Sequence, residues 1–247
     1  MLERDVAPGL HRVEEAYTNW YLVEEDGRFT IVDTGFPRSW RTLERALGEL
    51  GRSLSDVAAV VLTHGHFDHV GFAERARTEL RVPVWVHERD VPLVRRPWRY
   101  DHERSRLPYF VRYPKFDVVF AAMGARGALW VKGLRGASTY TDAAELDVPG
   151  RPRVVFTHGH TYGHSSLHLA DRDAVIAGDA LVTFDPYTGR TGPRIVARAA
   201  TADSERALSS LDTLAATGAR VVLPGHGEPW LAGVESAVEL ARAAGPS

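Results

Sequence analysis

Thr63-His64-Gly65-His66-Phe67-Asp68-His69 follows directly on the apolar run Val57-Ala58-Ala59-Val60-Val61-Leu62. The run is short, continuous and β-branched, and polar residues bound it, so it reads as a buried strand. Three imidazoles and one carboxylate therefore sit where a strand ends and a loop begins, which is where α/β folds build their sites. Neutral imidazole together with carboxylate suits zinc and similar first-row divalent metals. Isolated histidines are commonly surface or satisfied core residues. Four ligand-type side chains at one strand end are hard to explain that way.

Outward from this stretch, composition narrows the possibilities. The chain has 247 residues, enough for one large domain or two small ones. Apolar residues make up 44% and charged residues 25%, with a net charge of -2, as expected of a globular protein with a sizeable core. That balance points to neither a nucleic-acid nor an acidic-membrane partner. There is no cysteine, which excludes disulfides, iron–sulfur clusters, thiolate zinc sites and a cysteine nucleophile. A metal must then be held by His, Asp, Glu or backbone. The N-terminal Met1-Leu2-Glu3-Arg4-Asp5 is charged, with no apolar run behind it, and no uncharged stretch approaches membrane-spanning length. The expectation is a soluble cytoplasmic protein acting on a small molecule.

Strands are expected over 10–13, 19–24 and 28–32, the last two joined by a hairpin turn at Glu25-Asp26-Gly27. The third strand ends in Asp33-Thr34-Gly35. Asp33 reads equally as an Asx-type turn residue or as a carboxylate that orients a metal-bound histidine. Helical spacing of Trp40, Leu43, Ala46, Leu47 and Leu50 predicts a helix over 39–50. A second helix is expected at 70–76 and a strand at 82–86. Residues 93–120 interleave seven Arg and Lys residues with aromatics, and Pro97, Pro108 and Pro114 interrupt them. This segment reads as an insertion with little regular structure within one 1–247 domain. It could be a substrate-covering loop that forms a pocket wall for an anionic or apolar substrate, or a loop that packs its aromatics and solvates its arginines. A helix at 116–131 and strands at 144–148, 154–156, 166–169 and 174–177 are expected next. They are followed by a helix at 204–214, a strand at 220–223 and a closing helix at 234–243.

Five strand ends carry a ligand-type residue: Asp33, the His64–His69 cluster, His160, Asp179 and His226. Repetition of one device at five strand ends implies a single polyvalent site at one edge of the sheets.

With these residues placed, the chain resembles the metallo-β-lactamase superfamily. The resemblance rests on H-x-H-x-D-H as His64, His66, Asp68 and His69, and on Gly159-His160-Thr161-Tyr162-Gly163. Gly178-Asp179 and Pro224-Gly225-His226-Gly227 complete it in the same order. It implies an α/β fold, a four-layer αββα sandwich with a binuclear metal site between the sheet edges. His64, His66 and His160 would hold one metal, Asp68, His69 and His226 the other, and Asp179 would bridge them. Asp33 would orient a ligand. The resemblance further implies two divalent ions, zinc first with iron or manganese as alternatives, and a metal-bridging hydroxide that attacks a carboxylic ester, lactone or thioester. Asp68 is the candidate proton shuttle. Three alternatives stay open: a mononuclear iron oxygenase of the persulfide-dioxygenase kind, a phosphodiesterase, and a non-catalytic binding protein. A homodimer is compatible with all of them. His158 and His164 flank His160 without matching ligand positions and read as pocket groups or surface residues. His11, His87, His102 and His168 read as unconnected with the site.

Overall fold

In a computed structural model describing residues 1–247, the first half of the chain forms a seven-stranded sheet. Its strands lie in sequence order: β1 (Leu2–Ala7), β2 (Leu10–Glu15), β3 (Thr18–Glu25), β4 (Arg28–Val32), β5 (Val57–Val61), β6 (Val84–His87) and β7 (Ser138–Tyr140). The pairs from β1 to β4 are antiparallel. Those from β4 to β7 are parallel, because helical crossovers intervene. The second half supplies β8 (Arg153–Phe156), β9 (Ser165–Leu169), β10 (Ala174–Gly178), a hairpin of β11 (Val182–Phe184) with β12 (Thr191–Arg194), and β13 (Val221–Pro224). Four of these form a second sheet in the order β13-β10-β9-β8.

Strand alternation sorts the core into layers. Trp20, Leu22, Ile31, Val60 and Leu62 point to one side of the first sheet and pack on helix Trp40–Glu49 through Trp40, Leu43 and Leu47. Tyr21, Val23, Val32, Ala59 and Val61 point to the other side and meet Val154, Leu167, Ile176 and Leu223 of the second sheet. On that sheet's outer face, Val175, Ala177 and Val222 pack on helices Ser204–Ala215 and Val234–Ala244. The order is helices, sheet, sheet, helices, the four-layer αββα sandwich that the resemblance implied. β5 is apolar on both faces because it lies between a helix layer and a second sheet.

Several local expectations are corrected. Residues 95–106 carry no helix or strand, as expected, but the rest of 93–120 is regular: helices form at Val91–Val94, Leu107–Arg112 and Pro114–Ala125. Pro92, Pro108 and Pro114 lie in first turns, where a missing N–H leaves no bond unmade. These prolines begin helices rather than break them. The helix expected over 116–131 stops at Ala125 because Gly127 takes a left-handed conformation, φ 92°. The helix expected at 70–76 starts only at Ala73 and runs to Leu80, its second half wound as a π-helix. Val70 to Phe72 cannot join it, since Gly71 and Phe72 donate to the carbonyls of Gly35 and Thr34. Residues 144–148 form no strand: Leu146 and Val148 are buried between the sheets, but pairing is one bridge, Glu145 to Arg153. β1, β7 and the β11–β12 hairpin had no clear period in the sequence.

Candidate metal centre

The candidate ligands leave the sheets on four separate connections and converge. His64, His66, Asp68 and His69 follow β5, His160 lies between β8 and β9, Asp179 follows β10, and His226 follows β13. His66 Nδ1 lies 2.9 Å from His160 Nε2, and the His64 ring is 4.7 and 4.9 Å from those of His66 and His160. Asp68 Oδ2 lies 3.5 Å from His226 Nε2 and 3.8 Å from His69 Nε2. Asp179 stands between the two groups. Its Oδ2 is 3.4 Å from His160 Nε2, 3.3 Å from His226 Nε2 and 4.0 Å from His64 Nε2, and its Oδ1 is 3.6 Å from His69 Nε2. The structure thus brings together all seven residues that the resemblance implied as ligands, as two buried triplets with a carboxylate shared between them.

Hydrogen bonds behind the rings decide which nitrogens face inward. Thr63 Oγ1 donates to Asp33, so it accepts from His64 Nδ1 at 3.0 Å. Thr201 Oγ1 donates to the Val196 carbonyl, so it accepts from His160 Nδ1 at 3.3 Å. Asp33 Oδ2 accepts from His69 Nδ1 at 2.9 Å, and the Tyr17 carbonyl accepts from His226 Nδ1 at 2.6 Å. Each bond places the ring proton on Nδ1 and turns the Nε2 lone pair into the cluster. Asp33 also lies near enough to His64 and His69 to form a triplet with them. Its oxygens are already occupied, however, by the Thr63 N–H, the Thr63 hydroxyl and His69. Asp33 therefore orients rather than ligates. It does so from a left-handed backbone, φ 61°, which turns its side chain back across the end of β5.

The donor set fits a divalent metal. His64 Nε2, His69 Nε2 and Asp179 Oδ1 face the cluster, are buried and have no hydrogen-bond partner. Each such atom costs about 1–3 kcal/mol when left unsatisfied, so their convergence calls for a cation. Charge tells the same story. Burial, reinforced by neighbouring imidazoles, lowers His64 and His66 well below the usual histidine range. Burial also lowers His160 to about 4. Burial opposes protonation of His69 too, but Asp179, Asp33 and Asp68 outweigh it and raise His69 to about 10. His226 is raised against burial by Asp179 and Asp68. Burial would raise Asp179, yet His226 and His69 hold it well below the carboxylate range. Burial raises Asp68. One triplet therefore presents neutral imidazoles. The other holds protons where a metal's positive charge would sit.

Three residues support the ligands, and only Asp90 had no place in the sequence reading. Asp90, at the start of helix Val91–Val94, is buried and accepts from the Gly65 N–H at 2.9 Å, the Thr161 hydroxyl at 2.7 Å and the Gly163 N–H at 2.8 Å. It clamps the His64–His66 loop to the His160 loop. Nothing in the sequence ties Arg89-Asp90-Val91-Pro92 to either loop; alone it reads as a helix start. His164 is fully buried, not a surface residue. Its Nε2 accepts the Asp179 N–H at 3.0 Å, which fixes the turn that carries Asp179. Gly225 was quoted only as part of a motif. A Cβ there would collide with Asp179 Oδ1, so the β13 loop can close over the cluster only with glycine. His158 stacks on Phe156 outside the cluster, at 4.6 Å, and His87 pairs with Asp142 at 2.8 Å.

Residues 13–226 match the sequence profile described as the Metallo-beta-lactamase superfamily. The chain belongs to the metallo-β-lactamase superfamily. Among its relatives, the "Probable metallo-hydrolase YflN" of Bacillus subtilis is 27% identical over 241 residues, which cover 91% of this chain and 86% of that protein. The "Probable metallo-hydrolase YqgX" of the same organism is 28% identical over 179 residues, 70% of this chain and 69% of that protein. A crystal structure of the metallo-β-lactamase family protein TTHA1429 from Thermus thermophilus aligns with TM-score 0.69 and 30% identity, over 96% of this chain and 79% of that one.

Within this metallo-β-lactamase fold, an aromatic cap closes the cluster. Tyr100, Phe120, Met123 and Tyr187 face His66, Asp68 and His226 across a cavity of about 20 Å³. Tyr100 lies 4.0 Å from the His66 ring and shares a 3.0 Å hydrogen bond with Tyr187. No helix is long and apolar enough to cross a membrane.

Proposed function

We propose that this chain is a metal-dependent hydrolase that binds two divalent ions, zinc foremost, and cleaves a carboxylic ester, lactone or thioester of a small molecule. The observation that carries the reading is the convergence of buried, unpartnered ligand atoms on a shared aspartate. The names of the Bacillus relatives, both probable metallo-hydrolases, support it. His64, His66 and His160 would hold one ion, Asp68, His69 and His226 the other, with Asp179 between them. When bound, two such ions supply an activated water and a Lewis acid for the electrophile.

The chain's own residues do the remaining work. Asp68 lines the cavity beside the aromatic cap. Burial raises its pKa, which suits a group that takes a proton from water and returns it to the leaving alcohol or thiol. The acyl–oxygen or acyl–sulfur bond breaks, the acyl carbon gains the water's oxygen, and the net change is addition of one water. Burial pushes the Tyr100 hydroxyl up to about 12, so it stays protonated while its ring excludes bulk water. Because water is the nucleophile, the reading needs none from the protein, consistent with a chain that has no cysteine.

Elemental analysis of the native protein, joined to a hydrolysis screen over lactones, thioesters and phosphodiesters, tests the reading. About two zinc ions per chain and turnover of an acyl substrate are expected. One iron per chain with no hydrolysis would overturn it in favour of an oxygenase. Metal-replete protein inert across the panel would point to a binding role.

A further inference from the structure

A second cavity, of about 360 Å³, opens beside His160 and shares His160 and Tyr100 with the closed space over the cluster. Its wall carries Arg89, Arg96 and Arg99, all exposed. None of the three guanidinium groups takes part in an ion pair or a hydrogen bond, although the chain as a whole carries a net charge of -2. Two carboxylates line the same cavity. Asp90 is buried and already accepts three hydrogen bonds, which leaves Asp101 as the single available acid against three arginines.

The arginines are placed rather than scattered. Backbone bonds from the Arg96 N–H to the Leu93 carbonyl and from the Arg99 N–H to the Arg96 carbonyl, both 2.8 Å, wind the segment into successive turns. Both Arg96 and Arg99 line the cavity from this segment. Trp98 stacks flat on Phe67, 3.8 Å between centroids at 8°, and Tyr100 lies on His66. The residues on either side of Arg99 are thus fastened to the loop that carries the candidate ligands. Arg89 rests over the Phe156 ring at 5.0 Å, which leaves its charge at the rim.

We infer that this arginine-lined cavity holds an anionic group of the substrate, a carboxylate or a phosphate, while the acyl bond lies over the cluster. The inference rests on the hydrolase reading above and names the substrate class for it. A planar guanidinium recognises either anion through paired N–H donors. The space over the cluster accepts only a small group, so the anionic portion extends outward past His160 and Tyr100.

The test uses metal-loaded protein and three acetyl thioesters of equal length, whose thiols end in a carboxylate, a phosphate or an amide. The matching non-hydrolysable thioethers are titrated by calorimetry. The double variant Arg96→Ala/Arg99→Ala should keep its metal content, lose roughly 10- to 100-fold in kcat/KM and in thioether affinity for the preferred anion, and change little for the amide. The carboxylate and phosphate arms show which anion the cavity takes. Thioether affinities that do not differ between anion and amide, or that the double variant leaves unchanged, overturn the inference. Arginine-dependent thioether binding with no thioester hydrolysed would uphold the anion site and count against the hydrolase reading instead.

Discussion

Asp90→Asn is the most direct test of the way the site is held together. The carboxylate receives three donors on two oxygens: the Gly65 N–H and Thr161 hydroxyl on Oδ2, and the Gly163 N–H on Oδ1. An asparagine of the same shape offers one oxygen and one NH2. With its oxygen at the Oδ2 position it keeps two bonds and sets NH2 against the Gly163 N–H, donor against donor. Flipped, it loses the other two. One orphaned buried donor costs about 1–3 kcal/mol, and the surviving bonds weaken when the acceptor loses its charge. Relief of the buried charge offsets part of this, which leaves a loss of about 2–3 kcal/mol. In a chain of this size that is a fall in Tm of roughly 5–10 °C. Gly65 lies between His64 and His66, and Thr161 and Gly163 flank His160, so the first triplet should lose its geometry as well. Metal affinity there should fall by roughly 10- to 100-fold. Calorimetric melting and chelator competition read the two effects. Asp142→Asn, at an exposed carboxylate that pairs with His87, is the control and should alter neither. Full metal affinity with an unchanged Tm in Asp90→Asn would refute the clamp.

Asp68→Asn should lower kcat per bound metal far more than Asp33→Asn, whose loss should follow metal content; equal losses explained by missing metal would count against a proton role for Asp68. Gly225→Ala should fold but bind metal poorly, because its methyl displaces Asp179; elemental analysis showing full loading would contradict this. Metal-stripped protein should be most stable near pH 6.5. As pH falls below that, the unfolded chain protonates histidines such as His160, lowered to about 4 when folded, and stability is lost. As pH rises towards 10, the contribution of His69, raised to about 10, is lost in turn. Melting curves that stay flat from pH 5 to 9 would contradict the charge pattern.

The site was more legible in the sequence than the structure that supports it. His64 to His69 are close in sequence and abut a strand, and His160, Asp179 and His226 each follow a strand of their own. A regular backbone therefore brought them together. Asp90 and Tyr100 could not be read the same way, because their partners are contacts across the fold with no periodic trace. The apolar character of β5 and the order of helices and strands gave an α/β chain, and the sandwich was implied by the resemblance carried by the ligand motifs. Within 93–120, the helix Leu107–Arg112 and the first turn of Pro114–Ala125 were missed because proline was taken as a breaker. Where it starts a helix, its fixed φ and missing N–H are assets, and sequence alone does not show which side of a helix end it occupies.

The contact of Trp98 on Phe67 and of Tyr100 on His66 has a thermodynamic consequence. The ligand-bearing loop and the rim of the arginine cavity form one packed unit, so whatever orders one orders the other. Coupling of this kind is reciprocal: the factor by which metal tightens an anionic ligand must equal the factor by which that ligand tightens metal. Metal dissociation constants measured with and without the anionic thioether should shift together, and Trp98→Ala, which separates the two surfaces, should bring that shared factor towards one.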